Sequence, residues 1–323
     1  MAATTSVEFH GQVAIVTGAG RGLGRAYAQL LARRGCKVVV NDLAPALSGS
    51  PAQAVVDEIR AGGGTAQADL HDVAARPEAI VRSALDAFGR IDIVINNAGV
   101  TGGGRIDEMP AADFDRLLDV NLRGAVGVLR AAWPHFVKQG YGRVVNTSSG
   151  SVLGLPGCFA YQTSKAALIG LTRALALDGA PHGIKVNAIN PIAYTRMTAD
   201  IPDPAFRNFL ETHFQPALAA PFVVALVCRD LPCSGELFSV GGGIAARVTL
   251  GYVPGRVLGA DATPEDWLAQ FDGVLATEGL RVAPHAMDEV AYRAQQIGAV
   301  LANANGAATD WSRPVHPPSG DPH

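Results

Sequence analysis

The sequence predicts an α/β protein: a doubly wound, Rossmann-type sheet of about seven parallel strands with helices on both faces, followed by a C-terminal helical extension. Three observations predict this fold class. Short, continuous apolar runs alternate with helical patterns, which is typical of parallel strands buried on both faces. A glycine-rich turn joins the first run to the first helical pattern. Hydrophobic residues make up 48% of the 323 residues and charged residues 17%, enough to build a large core.

The order of the predicted elements gives the organisation of the chain. Seven apolar runs are the predicted strands: Val13–Val16, Lys37–Asn41, Thr65–Leu70, Ile91–Ile95, Arg143–Thr147, Ile184–Ile189 and Leu237–Val240. Beyond them, Thr263–Trp267 resembles a helix start with proline in its first turn, and Met287–Val300 has another helical pattern. We expect a main domain over residues 7–247, an extension over 248–305 packed on it, and a disordered tail over 306–323, which is rich in proline and glycine.

Composition excludes several classes of function. The net charge of −3 gives no sign of a nucleic-acid or anionic-membrane partner. No stretch approaches the ~18 uninterrupted apolar residues of a membrane span, and Met1–His10 lacks the basic and apolar regions of a secretory signal. The four cysteines form no Cys-x-x-Cys pair and have no His-rich partner spacing, so we expect no metal site. A cytoplasmic location is the resulting expectation.

The glycine-rich turn spans Thr17–Gly24 and reads T-G-A-G-R-G-L-G. Glycine tolerates positive φ and lets backbone N–H groups approach a pyrophosphate closely, and the start of the next helix adds aligned donors. Gly18, Gly22 and Gly24 are spaced G-x-x-x-G-x-G rather than the usual G-x-G-x-x-G. Strand, glycine turn and helix nevertheless follow in the order that a dinucleotide site needs, so we predict one here.

Acidic residues at the ends of the next two strands are candidates for binding the ribose and the adenine of the dinucleotide. Asp42 lies 18 residues after Gly24, where a carboxylate accepts hydrogen bonds from both ribose hydroxyls and repels a 2′-phosphate. This favours NAD over NADP, although Arg21 in the glycine turn could meet a phosphate and weakens the preference. At the end of the third strand, the Asp69 side chain could bond the adenine amino group.

Three motifs in the same order resemble those of the short-chain dehydrogenase/reductase family. They are T-G-A-G-R-G-L-G, Asn96-Asn97-Ala98-Gly99 and Tyr161-Gln162-Thr163-Ser164-Lys165, and the likeness runs from Val7 to Gly243. Within the family the chain is most similar to the (3R)-hydroxyacyl-CoA dehydrogenase unit of peroxisomal multifunctional enzymes. That likeness rests on the stretches 22–28, 39–43, 131–134, 195–198 and 235–241. The resemblance implies a homodimer or homotetramer formed through the helices over 113–138 and 160–177.

Tyr161 and Lys165 are four residues apart, on one face of a predicted helix. A phenol with a pKa near ~10 is a poor base at neutral pH, whereas a cation one turn away favours the phenolate and so lowers the pKa of the tyrosine, and a positively charged nicotinium ring adds to this effect. Tyr161 can then remove a hydroxyl proton as hydride passes to the nicotinamide, or donate one in the reverse direction. The resemblance further implies that Lys165 holds the nicotinamide ribose.

The remaining members of the family's catalytic set are a serine and an asparagine. Counting back from Tyr161 by the family's usual spacing points to Ser148, whereas counting forward along the fifth strand points to Ser149. Strand register is fixed more firmly than loop length, so we expect Ser149 and keep Ser148 as the alternative. Asn121 matches the asparagine that supports a proton-relay water near the lysine.

The resemblance extends the set of expected cofactor contacts. Ile192, through its backbone, and the Thr195 hydroxyl would address the carboxamide and the neighbouring phosphate, and Met197–Pro221 would form a short helical lid over the substrate. The full set of expected contacts is Gly18, Arg21, Gly22, Leu23, Gly24, Asp42, Asp69, Leu70, Asn97, Ala98, Gly99, Tyr161, Lys165, Ile192 and Thr195.

Together these motifs imply an NAD-dependent enzyme that interconverts a secondary alcohol and a ketone. A (3R)-3-hydroxyacyl-CoA is the first expectation for the substrate, and a steroid or another bulky alcohol is the alternative. From another class of function, the same fold could serve as a non-catalytic NAD sensor. The presence of Asn121, Tyr161 and Lys165 disfavours the sensor, which has no need for a phenolate.

Overall fold

The computed structural model describes residues 6–43, 49–199, 201–283 and 285–297. The chain divides into two compact units, Met1–Val248 and Thr249–His323. The tail expected to be disordered, residues 306–323, lies outside the described residues, and so does the end of the helix expected over Met287–Val300.

The first unit is built on one eight-stranded sheet, with the strands in the order β3, β2, β1, β4, β5, β6, β7 and β8. The strands are β1 Val13–Thr17, β2 Lys37–Asn41, β3 Thr65–Asp69, β4 Ile93–Asn96, β5 Gly142–Thr147, β6 Ile184–Pro191, β7 Leu237–Gly241 and β8 Ile244–Val248. The first seven are parallel to one another. The predicted doubly wound parallel sheet is therefore confirmed.

Helices cover both faces of this sheet. They are α1 Gly22–Arg33, α2 Pro51–Ala61, α3 Pro77–Phe88, α4 Ala111–Leu118, α5 Gly124–Gln139, α6 Phe159–Gly179, α7 Arg196–Ala199, α8 Pro204–His213 and α9 Pro216–Ala225. Helices α1, α2 and α9 contribute to the hydrophobic core on one face, and α3, α5 and α6 to the core on the other. All five residues of β1 are buried, and alternate residues enter the two cores. Burial of an aliphatic side chain stabilises the folded state by about 2 kcal/mol. Because its side chains enter both cores, this strand stabilises the packing on both faces of the sheet.

The eighth strand is an addition that the sequence reasoning did not predict. It pairs antiparallel with β7 through a two-residue loop, Gly242 and Gly243, whose φ angles are 56° and 76°. Two successive positive φ angles define the hairpin turn that suits the twist of the flanking strands. In the sequence, the Gly-Gly pair between two short strand-like runs of residues could have indicated this hairpin.

A buried cation fixes the amino end of the central strands. Arg143, on β5, is 4% exposed and stacks its guanidinium 4.3 Å from the centre of the Tyr141 ring. It donates hydrogen bonds to the backbone oxygens of Gly183 at 2.9 Å, Cys228 at 3.0 Å and Arg229 at 2.6 Å. These oxygens belong to the turn before β6 and to the segment after α9. The side chain thus positions β5, whose opposite end carries the two candidate serines.

Within its described residues, the second unit contains a small antiparallel pair of strands and three helices. They are β9 Gly251–Tyr252, α10 Pro264–Ala269, α11 Phe271–Leu275, β10 Arg281–Val282 and α12 Ala286–Gln296. Thr263 and Asp266 cap α10 reciprocally, as expected of the predicted helix start. Arg293 on α12 donates to the Pro254 oxygen at 2.8 Å, and the rings of Tyr252 and Tyr292 lie 5.6 Å apart. Within the described ranges, no helix has the length and hydropathy of a membrane span.

Replacing Arg143 with leucine should lower the free energy of unfolding by about 3 kcal/mol, because buried backbone oxygens lose their donors. Urea unfolding of the purified variant measures this. Arg82→Leu, on the exposed side of α3, is the matched control and should change stability by less than about 0.5 kcal/mol. Equal effects of the two substitutions would contradict the role assigned to Arg143.

Candidate active site

The glycine-rich turn follows β1 at the carboxyl edge of the sheet, where the strand order reverses between β2 and β4. Gly18 and Gly22 have φ angles of 62° and 56°, in the left-handed region that favours glycine. A Cβ added at Gly24 would lie 2.4 Å from the Gly18 oxygen, so only glycine fits there. The first turn of α1 has no side-chain cap. Its N–H groups are therefore available to an anionic ligand.

Hydrogen bonds from the end of β4 hold this turn in place. The Asn97 side-chain amide donates to the backbone oxygens of Thr17 and Gly18, both at 3.0 Å. The Thr17 hydroxyl in turn accepts from the backbone N–H groups of Asn97 and Ala98 at 3.0 Å. The amide nitrogen of Asn97 is thus engaged in positioning the turn, and Ala98 lies against Gly18, where an added Cβ would come within 2.8 Å of the Ala98 Cα.

The two acidic residues predicted to meet the adenosine differ in their surroundings. Asp42 accepts a hydrogen bond from the Gly20 N–H through Oδ2 at 2.8 Å, and within the described residues Oδ1 is available to a ligand. Asp69 is 3% exposed, and both of its carboxylate oxygens are already bonded, Oδ1 to Asn41 at 2.7 Å and Oδ2 to His71 at 2.9 Å. An adenine amino group would share these acceptors. Leu70 is about half exposed beside them.

Asn121 lies in a π-helical turn, Asp119–Arg123, between α4 and α5. Its side chain exchanges hydrogen bonds with the Val100 backbone, accepting from the N–H at 2.8 Å and donating to the oxygen at 3.0 Å, and also donates to the Ser164 hydroxyl at 3.0 Å. An added Cβ at Gly99 would lie 3.1 Å from Asn121 Oδ1 and 3.2 Å from Lys165 Nζ. The three predicted residues Gly99, Asn121 and Lys165 therefore converge.

Lys165 is an almost fully buried cation. Its side chain donates to the backbone oxygen of Thr147 at 2.8 Å, at the end of β5. Burial lowers the pKa of Lys165 to about 8. An ammonium has three donors, so the hydrogen bond to Thr147 leaves two for a hydroxylated ligand.

The two candidate serines point to different partners. Ser148 is 2% exposed and donates to the Lys165 backbone oxygen at 2.8 Å. Ser149 caps a short 3₁₀ turn through Ser151, and its side chain is close enough to the Tyr161 phenol to favour the charged form of that phenol. Ser149 is thus the serine beside the candidate acid/base.

Burial raises the pKa of Tyr161 above its ordinary value, and the neighbouring Ser149 side chain opposes this rise. The Lys165 Nζ lies 5.9 Å from the centre of the Tyr161 ring. The protein groups alone therefore do not lower the pKa of the phenol. The expectation that Lys165 lowers the pKa of Tyr161 is thus not met by the protein groups, because burial of the phenol outweighs the contacts that favour its charged form. The added effect of a nicotinium charge stays a prediction.

The segment after β6 supplies the last predicted contacts. The Ile192 N–H donates to the Val240 oxygen at 2.8 Å, so its carbonyl oxygen is the backbone group left for a ligand. Thr195 lies against the glycine turn, where a Cβ added at Gly22 would lie 3.4 Å from Thr195 Cγ2. The predicted lid region contains α7, α8 and the first part of α9.

Sequence reasoning missed three residues that shape the site. Thr17 links β1 to β4. Gly20 has no room for a side chain, since an added Cβ would lie 2.6 Å from Pro51 Cβ and 2.8 Å from Asp42 Oδ2. Ser164 donates to the Tyr161 oxygen at 2.7 Å and accepts from Asn121, which fixes the first turn of α6. Thr17 and Gly20 lie inside the glycine motif, and Ser164 directly precedes Lys165. These positions within the two motifs could have indicated that the three residues belong to the site.

The site fits a dinucleotide. The glycine turn forms a cradle that side chains would fill, Asp42 keeps one carboxylate oxygen available, and the opposite end of the edge presents Tyr161 beside Lys165. Within the residues described, no group of three or more His, Cys, Asp or Glu side chains is arranged to hold a metal ion.

Comparisons with known proteins agree with these observations. The family model for short chain dehydrogenases matches residues 12–204. A short-chain type dehydrogenase/reductase of Mycobacterium tuberculosis is 40% identical over 280 residues, which are 84% of this chain and 96% of that protein. The peroxisomal hydratase-dehydrogenase-epimerase of Neurospora crassa is 40% identical over 83% of this chain, but the match spans only 29% of that longer protein.

Solved structures show the same likeness. The peroxisomal multifunctional enzyme type 2 of Drosophila melanogaster has a TM-score of 0.75 at 31% identity, with 90% of this chain and 50% of that chain covered. A 7α-hydroxysteroid dehydrogenase complexed with NADH and a 7-oxo bile acid has a TM-score of 0.67 at 30% identity, covering 73% of this chain and 95% of that chain. The predicted likeness to the dehydrogenase unit of peroxisomal multifunctional enzymes is confirmed. The chain belongs to the short-chain dehydrogenase/reductase family and is an oxidoreductase that acts on CH–OH groups.

Proposed function

We propose that this enzyme interconverts a secondary alcohol and a ketone with NAD as cofactor, and that its substrate is a (3R)-3-hydroxyacyl-CoA. The observation that carries the proposal is the convergence of Ser149, Tyr161 and Lys165 beside Gly99 and Asn121 at the carboxyl edge of the sheet. Ligands bind in the crevice outside the carboxyl ends of the strands in this fold class.

Each residue has a distinct role in the proposed mechanism. When bound, NAD supplies the acceptor for hydride. Ser149 donates a hydrogen bond to the substrate oxygen. Because Ser149 lies next to Tyr161, this hydrogen bond holds the substrate oxygen beside the phenol. Tyr161 removes the hydroxyl proton during oxidation and returns it during reduction. Lys165 holds the ribose with its remaining donors, and its positive charge favours the phenolate. Asn121 fixes the backbone beside Lys165, where a water can relay the proton onward.

The preference for NAD rests on Asp42. Its available oxygen would accept the ribose hydroxyls, and its negative charge would repel a 2′-phosphate. The family uses both nicotinamide cofactors. Arg21, at the N-cap of α1, is the cation that would favour NADP.

The substrate is proposed from the relatives named above. Peroxisomal multifunctional enzymes support a hydroxyacyl-CoA, and the bile-acid complex supports a steroid alcohol as the second candidate. This chain spans less than a third of the Neurospora protein, so the activity of that whole protein is not carried over. A cytoplasmic homodimer or homotetramer remains part of the proposal.

The direct test is formation of NADH on mixing the protein with NAD and a panel of (3R)- and (3S)-3-hydroxyacyl-CoAs and steroid alcohols. We expect turnover of a (3R)-thioester and at least about tenfold less with its (3S) isomer. Turnover of the steroids alone would reverse the order of the two candidates. Tight NAD binding without NADH formation across the panel would instead support the sensor.

Ser149→Ala should lower kcat/KM by about 100-fold or more, because the substrate oxygen loses a donor that strengthens in the transition state. Ser148→Ala is the matched control. It removes a bond to the Lys165 backbone and should lower kcat/KM by less than about tenfold, through a loss of about 1 kcal/mol of stability. Steady-state kinetics that show the larger loss in Ser148→Ala would reverse the assignment.

Asp42→Ser should lower the ratio of kcat/KM for NAD to kcat/KM for NADP by about tenfold or more, because a charged acceptor is lost and the 2′-phosphate is no longer repelled. Asp57→Ser, on the exposed side of α2, removes the same charge elsewhere on the surface. Its ratio should stay at the wild-type value. A similar drop in both variants would show a general charge effect.

Lys165→Met should abolish turnover yet raise the free energy of unfolding at pH 7 by about 3 kcal/mol. The pKa of Lys165 is about 8 in the folded protein against an ordinary 10.5, so the unfolded chain binds the proton more tightly. The resulting penalty is full below pH ~8 and disappears as the pH rises to about 10.5. Urea unfolding at pH 7 and pH 10 measures it. The exposed Lys138→Met should show no such difference, and a Lys165→Met variant that is less stable at pH 7 would contradict the prediction.

A further inference from the structure

The turn that follows β3 contains a histidine paired with a buried carboxylate. His71 Nδ1 lies 2.9 Å from Asp69 Oδ2, and the His71 backbone N–H donates to Asp69 Oδ1 at 3.2 Å. The Asn41 side chain donates both to Asp69 Oδ1 at 2.7 Å and to the His71 backbone oxygen at 2.9 Å. The backbone of this turn is therefore held by bonds that do not involve the imidazole, so the ring can be replaced without releasing the turn.

The carboxylate and the imidazole differ in how accessible they are. The Asp69 side chain is 1% exposed, whereas the His71 side chain is 45% exposed. A hydrogen bond requires a separation of about 3 Å between its heavy atoms, and a ligand does not come that close to an oxygen that other protein groups cover. Of the two members of the pair, the imidazole is thus the one presented to a ligand, and Asp69 lies behind it.

The carboxylate determines which ring nitrogen of His71 carries the proton. An ionised carboxylate only accepts hydrogen bonds, so the Nδ1 that faces Asp69 carries a hydrogen. In the neutral imidazole the other nitrogen, Nε2, is then an unprotonated acceptor. Within the described residues Nε2 is available to a ligand. The pair therefore presents one acceptor of defined position on its exposed side.

This acceptor lies at the predicted adenosine end of the crevice. The Asp42 N–H donates to the Asp69 backbone oxygen at 3.1 Å, which places the predicted ribose contact beside the pair. Leu70 stands between Asp69 and His71 in the chain, is 47% exposed and offers an apolar surface to the face of a base. The 6-amino group of adenine is a donor, and the His71 Nε2 can accept from it.

We propose that His71 is a specificity-determining residue that recognises the adenine of the cofactor through Nε2, with Asp69 as the positioning residue behind it. The inference rests on the proposed function, since it takes NAD to bind in the crevice. In place of the direct bond from adenine to Asp69 that the sequence predicts, the amino group bonds to the ring that covers Asp69. A base with an oxygen at this position sets one acceptor against another, so it binds less tightly.

The test compares NADH with reduced nicotinamide hypoxanthine dinucleotide, in which an oxygen replaces the 6-amino group and N1 carries a hydrogen. Calorimetry at about pH 8, where an ordinary imidazole is neutral, gives the ratio of the two dissociation constants. We expect the wild-type protein to bind NADH about tenfold more tightly, and His71→Ala to lower that preference about fivefold. A general weakening of the crevice would affect both ligands alike and leave the ratio unchanged.

The variant His71→Asn separates a contact made by the ring from an effect on Asp69. An asparagine amide can still donate to Asp69 from close to the position of Nδ1, but it does not extend to the position of Nε2. We therefore expect this variant to lose as much of the preference as His71→Ala. His182 is an exposed histidine just before β6, at the opposite end of the strands. His182→Ala is the matched control and should keep the wild-type ratio.

Three results would overturn the role of His71. They are equal binding of the two dinucleotides by the wild-type protein, an unchanged ratio in His71→Ala, and a ratio that His71→Asn keeps while His71→Ala loses it, which would assign the contact to Asp69. Failure to bind either dinucleotide would overturn this role together with the proposed cofactor. Binding of NADH without turnover of a thioester or steroid would count against the proposed substrates alone, because the ratio still tests His71.

Discussion

The hydrogen bonds between Thr17 and the Asn97–Ala98 segment are the constraint on which the candidate site depends. They join β1 to β4 where the strand order reverses, the one place in the sheet at which neighbouring connections diverge and leave a crevice. One side of this junction fixes the glycine turn. The other continues to Gly99, which lies against Asn121 and Lys165. A single set of short bonds therefore sets the separation between the phosphate end and the reacting end of the cofactor crevice.

The buried ammonium of Lys165 shows how stability is given up at such a site. Removing a cation from water is costly, and one backbone oxygen compensates for only part of that cost. The lowered pKa expresses the same imbalance. Tyr161 shows the complementary effect, since burial disfavours its charged form. Burial thus disfavours the charged form of both groups, so a bound ligand that adds charge and hydrogen bonds has a large effect on their protonation.

The sequence was sufficient for the parallel sheet, because each strand is a continuous apolar run and each crossover helix begins or ends at recognisable residues. The convergence of Tyr161 and Lys165 followed from helical spacing alone. Other features depend on contacts between distant segments. Asp69 looks available in the sequence, yet Asn41 and His71 occupy its oxygens. The exposed strand β8 lacks a buried apolar pattern, and the choice between two adjacent serines required the geometry after β5.

The π-helical turn at Asp119–Arg123 has a consequence for how this chain tolerates insertions and deletions. Such a turn contains one residue more than a regular helix, and each residue of an α-helix advances by about 100°. The helical phase of α4 therefore does not carry over into α5. Removing one residue here would restore an unbroken helix and keep the apolar face of α5, including Val128 and Phe136, in the core that it shares with α3, but it would remove the widened turn in which Asn121 lies. In this segment chain length is as constrained as residue identity.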